Sequence, residues 1–200
     1  MEKEDKDLVK EPDIEYGRYT YADYLTWEMD EMVELIKGKV FKWAAAAPST
    51  SHQKVSLRLG SAFLMSLKNG PCQAFQAPYD VRLPVKSKRN QDIDTVVQPD
   101  LCVICDESKI QESGCLGAPD LVVEILSPGN NKKELRLKYD VYEEAGVKEY
   151  WVIHPIEQTL LIYSLIDGKY RSSGLYVSGD VIESACIPGF KLNLEDIFEG

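Results

Sequence analysis

The stretch QPDLCVICD (98–106), GAPDLVVEILSPGNN (117–131) and KKELRLKYDVYEEAGVKE (132–149) decides the fold. Each of the first two pieces is a short apolar run entered through Pro-Asp, the pattern of strands bounded by turns. Along the second run Asp120, Val122 and Glu124 share one face, and Leu121, Val123 and Ile125 share the other. Glu124 is the anomaly, because a carboxylate inside such a run is seldom buried unless it is paired or bound to a metal. Paired antiparallel, the start of one strand lies beside the end of the other, which brings Asp100 next to Glu124. The third piece has helical spacing through Leu135, Tyr139, Tyr142 and Gly146, and Lys138 falls inside that stripe. Two carboxylates and a lysine directed at one region mark a candidate site.

Working outward, the hairpin pattern VELIKGKVFKWAAA (33–46) turns at Lys37-Gly38 and carries Glu34 in its first strand, where it reads as a solvent-face residue. Thr20 is positioned to cap a short helix through Leu25 and Trp27. Ser49 and Thr50 offer a cap for an amphipathic helix over His52–Lys68, stopped by Asn69-Gly70-Pro71. His52 lies in its first turn, a place where a lone histidine is ordinarily a surface or capping residue. CQAFQAPYDVRLP (72–84) is strand-like, and KSKRNQDIDTV (86–96) reads as a polar loop. EYWVIHP (149–155) is a strand ended by proline. The runs after Gln158 read as an antiparallel extension of the sheet, closed by a helical turn at Glu195–Phe198.

Two hundred residues with 44% hydrophobic content suit one domain, expected over 19–200, with residues 1–18 as a peripheral arm. No apolar run reaches the roughly 18–20 residues that span a bilayer, and MEKEDKDLVKEPDIE (1–15) lacks a signal-peptide core, so a cytoplasmic protein with no membrane partner is expected. The cysteine count is odd, at five, which agrees with a cytoplasmic setting. Cys102 and Cys105 lie three apart in a strand and face opposite ways, which argues against a metal knuckle. The net charge of −10 counts against avid, nonspecific nucleic-acid binding but not against a local basic patch. Lys86, Lys88 and Arg89 read as a solvated loop; Lys132, Lys133, Arg136 and Lys138 cluster beside the candidate site.

Two neighbouring carboxylates raise each other's pKa unless a positive charge lies between them. Mg²⁺, or Mn²⁺ in its place, answers that need, because such hard cations commonly take one or two carboxylates and keep several waters. The ion can generate hydroxide and neutralise charge developing on a phosphoryl group, and a lysine can orient the attacking water. The same three residues would also satisfy a buried salt-bridge network without catalysis. A metal-free carboxylate-pair hydrolase acting on sugars is a third reading.

The order strand-Asp, strand-Glu, helix resembles the PD-(D/E)XK restriction-endonuclease-like superfamily. VELIKGK (33–39), SHQKVSLRL (51–59), APYDVRL (77–83), VQPDLCVI (97–104), GAPDLVVEILSP (117–128), KYDVYEEAGVKEYWVIHP (138–155) and IPGFKLNL (187–194) are similar, in order, to the Uma-two-type bacterial endonuclease family, formerly a domain of unknown function. The resemblance implies an α/β fold with a mixed central sheet flanked by helices and additional antiparallel C-terminal strands. It implies a metal-dependent endonuclease acting on DNA, with Asp100 and Glu124 as metal ligands and Asp100, Glu124 and Lys138 as catalytic residues. The chain departs from the superfamily at Leu126, where a lysine is expected; Lys138 matches a lysine that this branch carries on the next helix. Glu34, His52 and Asp120 are further candidates. Asp120 is a competing Pro-Asp, but it sits on Glu124's own strand, ~13 Å away. A homodimer is a further expectation for an enzyme that cuts both strands, and a degenerate nucleic-acid or protein interaction module with the same fold is the alternative.

Overall fold

The computed structural model describes residues 17–27, 32–41, 49–127 and 132–199. In chain order the elements are α1 (Tyr21–Tyr24), β1 (Glu34–Ile36), β2 (Lys39–Phe41), α2 (Thr50–Leu67), β3 (Gln73–Gln76), β4 (Val81–Arg82), β5 (Val96–Val97), β6 (Leu101–Ile104), β7 (Ile110–Gln111), β8 (Gly114–Leu116), β9 (Leu121–Ile125), α3 (Lys132–Ala145), β10 (Glu149–His154), β11 (Thr159–Ile166), β12 (Lys169–Ser172), β13 (Tyr176–Val177), β14 (Val181–Glu183), β15 (Lys191–Asn193) and α4 (Glu195–Phe198). The larger sheet runs β12-β11-β10-β9-β6-β3, with β13 also paired to β11; the smaller runs β2-β1-β5-β4-β8-β7. Residues 1–16, most of the expected arm, lie outside the described residues.

The two strands read as the centre of the sheet pair within its interior, β9 in the middle and β6 beside the edge strand β3. β6 and β9 pair antiparallel, with Leu101 opposite Val123 and Cys102 opposite Val122. They are not a simple hairpin, since the intervening chain supplies β7 and β8 to the smaller sheet. β9 then pairs parallel with β10, a geometry that requires a crossover connection, and α3 is the helix in it.

Alternation along β9 splits its side chains between two cores. Leu121, Val123 and Ile125 pack with Val55, Leu59 and Phe63 of α2 and with Phe190 and Ile197 from the C-terminal segment. Val122, together with Cys102 and Ile104, packs on the other side with Val141 and Tyr142 of α3 and with Val81 and Val97 of the smaller sheet. Gly60 permits the approach of α2, because a Cβ there would come within 3.3 Å of Leu101. The helix starts at the expected place: Ser49 is its N-cap, and its hydroxyl accepts from the His52 N–H at 3.2 Å.

Several expectations need correction. The segment 72–84 is two strands in different sheets, separated by a cis Ala77–Pro78 bond. A pattern of alternation cannot show that break, because residues on both sides of it alternate. The polar segment 86–96 is pinned by Ile93, which is fully buried against Tyr21, Val33 and Leu35. β11 and β12 do extend the larger sheet antiparallel, but β14 and β15 form a separate ribbon. Cys72 and Cys105 are joined in a disulfide between the ends of β3 and β6, a pairing the sequence reading did not anticipate. Cys102 and Cys105 do face different cores. Among the described residues no helix is long and apolar enough to cross a membrane.

Candidate active site

β1, β9 and α3 converge on one buried ion cluster. Lys138 reaches it from the middle of α3, with its stem in the apolar stripe and its Nζ 2.8 Å from Glu124 Oε1 and 2.8 Å from Glu34 Oε1. All three side chains are shielded: Glu34 is 3% exposed, Lys138 4% and Glu124 8%. Tyr142, four residues beyond Lys138 and therefore on the same helix face, donates its hydroxyl to Glu124 Oε1 at 2.7 Å. The Gln98 N–H donates to Glu34 Oε1 at 2.6 Å, tying the β1 carboxylate to the turn that leads into Asp100.

The antiparallel register places Asp100 beside Glu124, at the edge of this cluster. Asp100 Oδ2 accepts from the Ile125 N–H at 2.7 Å, and Oδ1 lies 3.1 Å from His52 Nε2. Its side chain is 22% exposed, against 4% for Glu34 and 11% for Glu124, so Asp100 is the solvent side of the cluster. His52 is in the first turn of α2, which is how that helix reaches the ends of β6 and β9.

The electrostatics follow from burial and from charge imbalance. Burial lifts the Glu124 carboxyl; Lys138 opposes the shift while Asp100 and Glu34 add to it, and the group is pushed up to about 7. Burial acts against the Lys138 charge, yet Glu124 and Glu34 outweigh it and hold the ammonium above its ordinary range. The two shifts describe one shared charge. Lys138 stays protonated, and Glu124 is the more weakly compensated partner because Glu34 takes the other share of the ammonium. Burial, reinforced by Glu124 and Glu34, raises Tyr142 far above its ordinary value, so it is a standing hydrogen-bond donor. The hydrogen bond with Asp100 raises His52 despite its desolvation.

Five of the six residues singled out from sequence therefore meet in one place. Asp100 and Glu124 are neighbours, Lys138 reaches Glu124, and Glu34 and His52 complete the cluster. Two readings change. Glu34 is not on a solvent face, because that face of the β1–β2 hairpin is covered by α3 and its lysine. His52 is buried against Asp100 rather than a surface residue. Asp120 lies apart: its carboxylate takes Lys148 Nζ at 2.6 Å and the Cys105 N–H at 2.7 Å. Tyr142 and Gln98 were missed. The i+4 spacing from Lys138 was the available signal for Tyr142, whereas Gln98 acts through its backbone, which no side-chain pattern reveals.

A family model described as "Uma2: Putative restriction endonuclease" matches residues 21–195, spanning every residue of the cluster. The chain belongs to the Uma2 family. An uncharacterized protein of Synechocystis, slr1290, is 24% identical over 159 residues, covering 78% of this chain and 74% of that protein. The crystal structure of "a putative nuclease belonging to DUF820" from Anabaena variabilis superposes with a TM-score of 0.69 and 21% identity, covering 90% of this chain and 97% of that one. At that identity the likeness concerns the fold. It supports the mixed, helix-flanked sheet expected of an Uma2 protein.

Proposed function

We propose that this Uma2-family protein is a divalent-metal-dependent endonuclease that hydrolyses phosphodiester bonds in DNA. The observation that carries the proposal is the convergence of carboxylates: Glu124 and Glu34 share one permanent cation, Lys138, and Asp100, paired with His52, lies beside Glu124 in the strand register. One ammonium cannot compensate both carboxylates it touches, and with Asp100 alongside, Glu124 is left suited to a further cation. The donor set fits Mg²⁺ or Mn²⁺ in kind, because it is hard oxygen from two neighbouring carboxylates, of which Asp100 is the more exposed. Among the described residues no group of three or more His, Cys, Asp or Glu side chains is arranged to hold a metal ion. The proposed ligands are therefore two, Asp100 and Glu124.

When bound there, the ion supplies a Lewis acid and a water of lowered pKa. The chain's own residues do the rest. Of the three ammonium donors of Lys138, two are committed to Glu34 and Glu124. The third is available to orient a water or to meet charge developing on a phosphoryl oxygen. Glu34 holds the lysine in place, and His52 and the Ile125 N–H fix Asp100. Three elements thus stand in for the strand lysine that the superfamily carries where this chain has Leu126.

The test combines binding and cleavage. Wild type should bind Mn²⁺ and nick plasmid DNA in its presence and not in EDTA, and Asp100→Asn and Glu124→Gln should lose both properties. Unchanged binding isotherms in those variants would defeat the assignment. One observation favours the alternative, a binding module of the same fold: the Lys138 ammonium is buried and already paired on two sides. A wild type that binds DNA but cleaves no form of it with any divalent metal decides for that reading.

A further inference from the structure

We infer that Tyr142 is a positioning residue of the metal site, which by its hydroxyl fills one oxygen of Glu124 and so presents the other oxygen to the cation. The inference rests on the metal-dependent reading above and goes beyond it in assigning a role to a residue outside the proposed ligand set. Both hydrogen bonds to Glu124 fall on the same atom, Oε1: Tyr142 OH at 2.7 Å and Lys138 Nζ at 2.8 Å. A carboxylate oxygen has two lone-pair sites, so two strong donors fill it. Among the described residues, no donor reaches Oε2. A cation approaching Glu124 therefore meets an oxygen without competitors, while Oε1 stays engaged with the lysine.

The geometry that produces this division is specific. Positions 138 and 142 lie one turn apart on the same face of α3, which puts an ammonium and a phenol above one carboxylate oxygen. The Tyr142 ring is fully buried and packs 5.1 Å from the Tyr150 ring, so its hydroxyl is held at a fixed height over β9. The terminal torsion of a glutamate is otherwise soft. With one donor left on Oε1, the carboxylate can rotate and offer either oxygen, and the ordering of the ligand then has to occur at the moment of binding.

Tyr150 provides an internal control. Its hydroxyl is equally buried, on the neighbouring strand β10, and has no hydrogen-bond partner among the described residues. Tyr142→Phe and Tyr150→Phe each remove one buried hydroxyl and leave the ring, and only the first removes a hydrogen bond to Glu124. Mn²⁺ binding is measured by calorimetry and by the EPR spectrum of the bound ion, with thermal unfolding of each variant recorded alongside. Tyr142→Phe should bind Mn²⁺ about 10–100-fold more weakly, the usual effect of losing an outer-shell partner, with an altered bound-ion spectrum. Tyr150→Phe should match wild type in both. Wild-type affinity in Tyr142→Phe, with binding abolished in Glu124→Gln, overturns the role of Tyr142 and leaves the metal reading intact. Equal losses in Tyr142→Phe and Tyr150→Phe reduce the effect to packing and overturn it as well. A wild type that binds no Mn²⁺ removes the metal reading and the inference together.

Discussion

Replacing Glu124 by glutamine should make the metal-free protein relatively more stable as pH rises, even though it removes a member of the ion cluster. The ordinary glutamate value is 4.5, and burial beside Asp100 and Glu34 pushes Glu124 up to about 7. Between those values the unfolded chain has released this proton while the folded chain retains it. The unfolded state therefore binds fewer protons, and the contribution of Glu124 to stability falls as pH rises through the window. At about 1.4 kcal/mol per unit, the loss by pH 8 is at most about 3 kcal/mol. Glutamine keeps an acceptor for Lys138 and Tyr142 but does not titrate. The cost of any amide N–H it leaves unpaired, about 1–3 kcal/mol, is the same at every pH in this range. Lys138 retains Glu34 as its partner in the variant.

The assay is urea denaturation of both proteins in EDTA at pH 5 and pH 8. The stability of Glu124→Gln relative to wild type should improve by up to about 3 kcal/mol between the two. With Mn²⁺ at 100 times its dissociation constant, wild type should gain about 2.7 kcal/mol and the variant close to nothing. A stability difference that is flat from pH 5 to pH 8 would refute the reasoning, and so would an equal Mn²⁺ gain in both proteins.

Lys138→Met leaves Glu34 and Glu124 buried without their cation, so it should lower stability by about 3–5 kcal/mol at pH 8 in denaturant titrations. In preparations shown by circular dichroism to be folded, it should also reduce DNA cleavage on the order of 10²–10³-fold. Asp120→Asn should leave Mn²⁺ binding unchanged by calorimetry, since that carboxylate is engaged with Lys148 and the Cys105 N–H away from the cluster. Phe63→Ala should cost about 3–5 kcal/mol in the same denaturation assay, because the ring is fully buried between Trp151 and Phe190, 5.9 and 5.0 Å away.

Period-two alternation in 98–106 and 117–126 is enough to pair β6 with β9 inside the larger sheet, to separate the two faces of β9 and to set Asp100 beside Glu124. A lysine inside an apolar helical stripe was enough to aim Lys138 at them. The burial of Glu34 and His52 is hidden from the sequence for a common reason. Each sits on an element whose local pattern is indifferent to burial, and what buries them is another element: α3 over the β1–β2 hairpin, and the entrance of β6 against the first turn of α2. The break at Ala77–Pro78, the separate ribbon of β14 and β15 and the Cys72–Cys105 bond are likewise long-range outcomes. The residues on either side of each look locally the same whether or not the chain changes sheet.

The site of the lysine shows why a missing motif residue need not mean a missing charge. On a strand, residues two apart share a face, so a lysine two positions after Glu124 would reach the cluster from position 126. Here that position is Leu126, whose N–H bonds to Ile153 O and whose side chain packs in the core beneath α3. The leucine helps to seat the helix that carries Lys138. A helix lysine comes at the carboxylates from above the sheet, so it needs a lateral anchor that a strand lysine would find along its own strand. Glu34, from the smaller sheet, is that anchor, and Gln98 ties it to the entrance of β6. Transplanting the lysine to the helix therefore couples the site to the docking of the smaller sheet. Disturbing β1 should weaken the hold on Lys138 and, through their shared carboxylate Glu124, the cation as well.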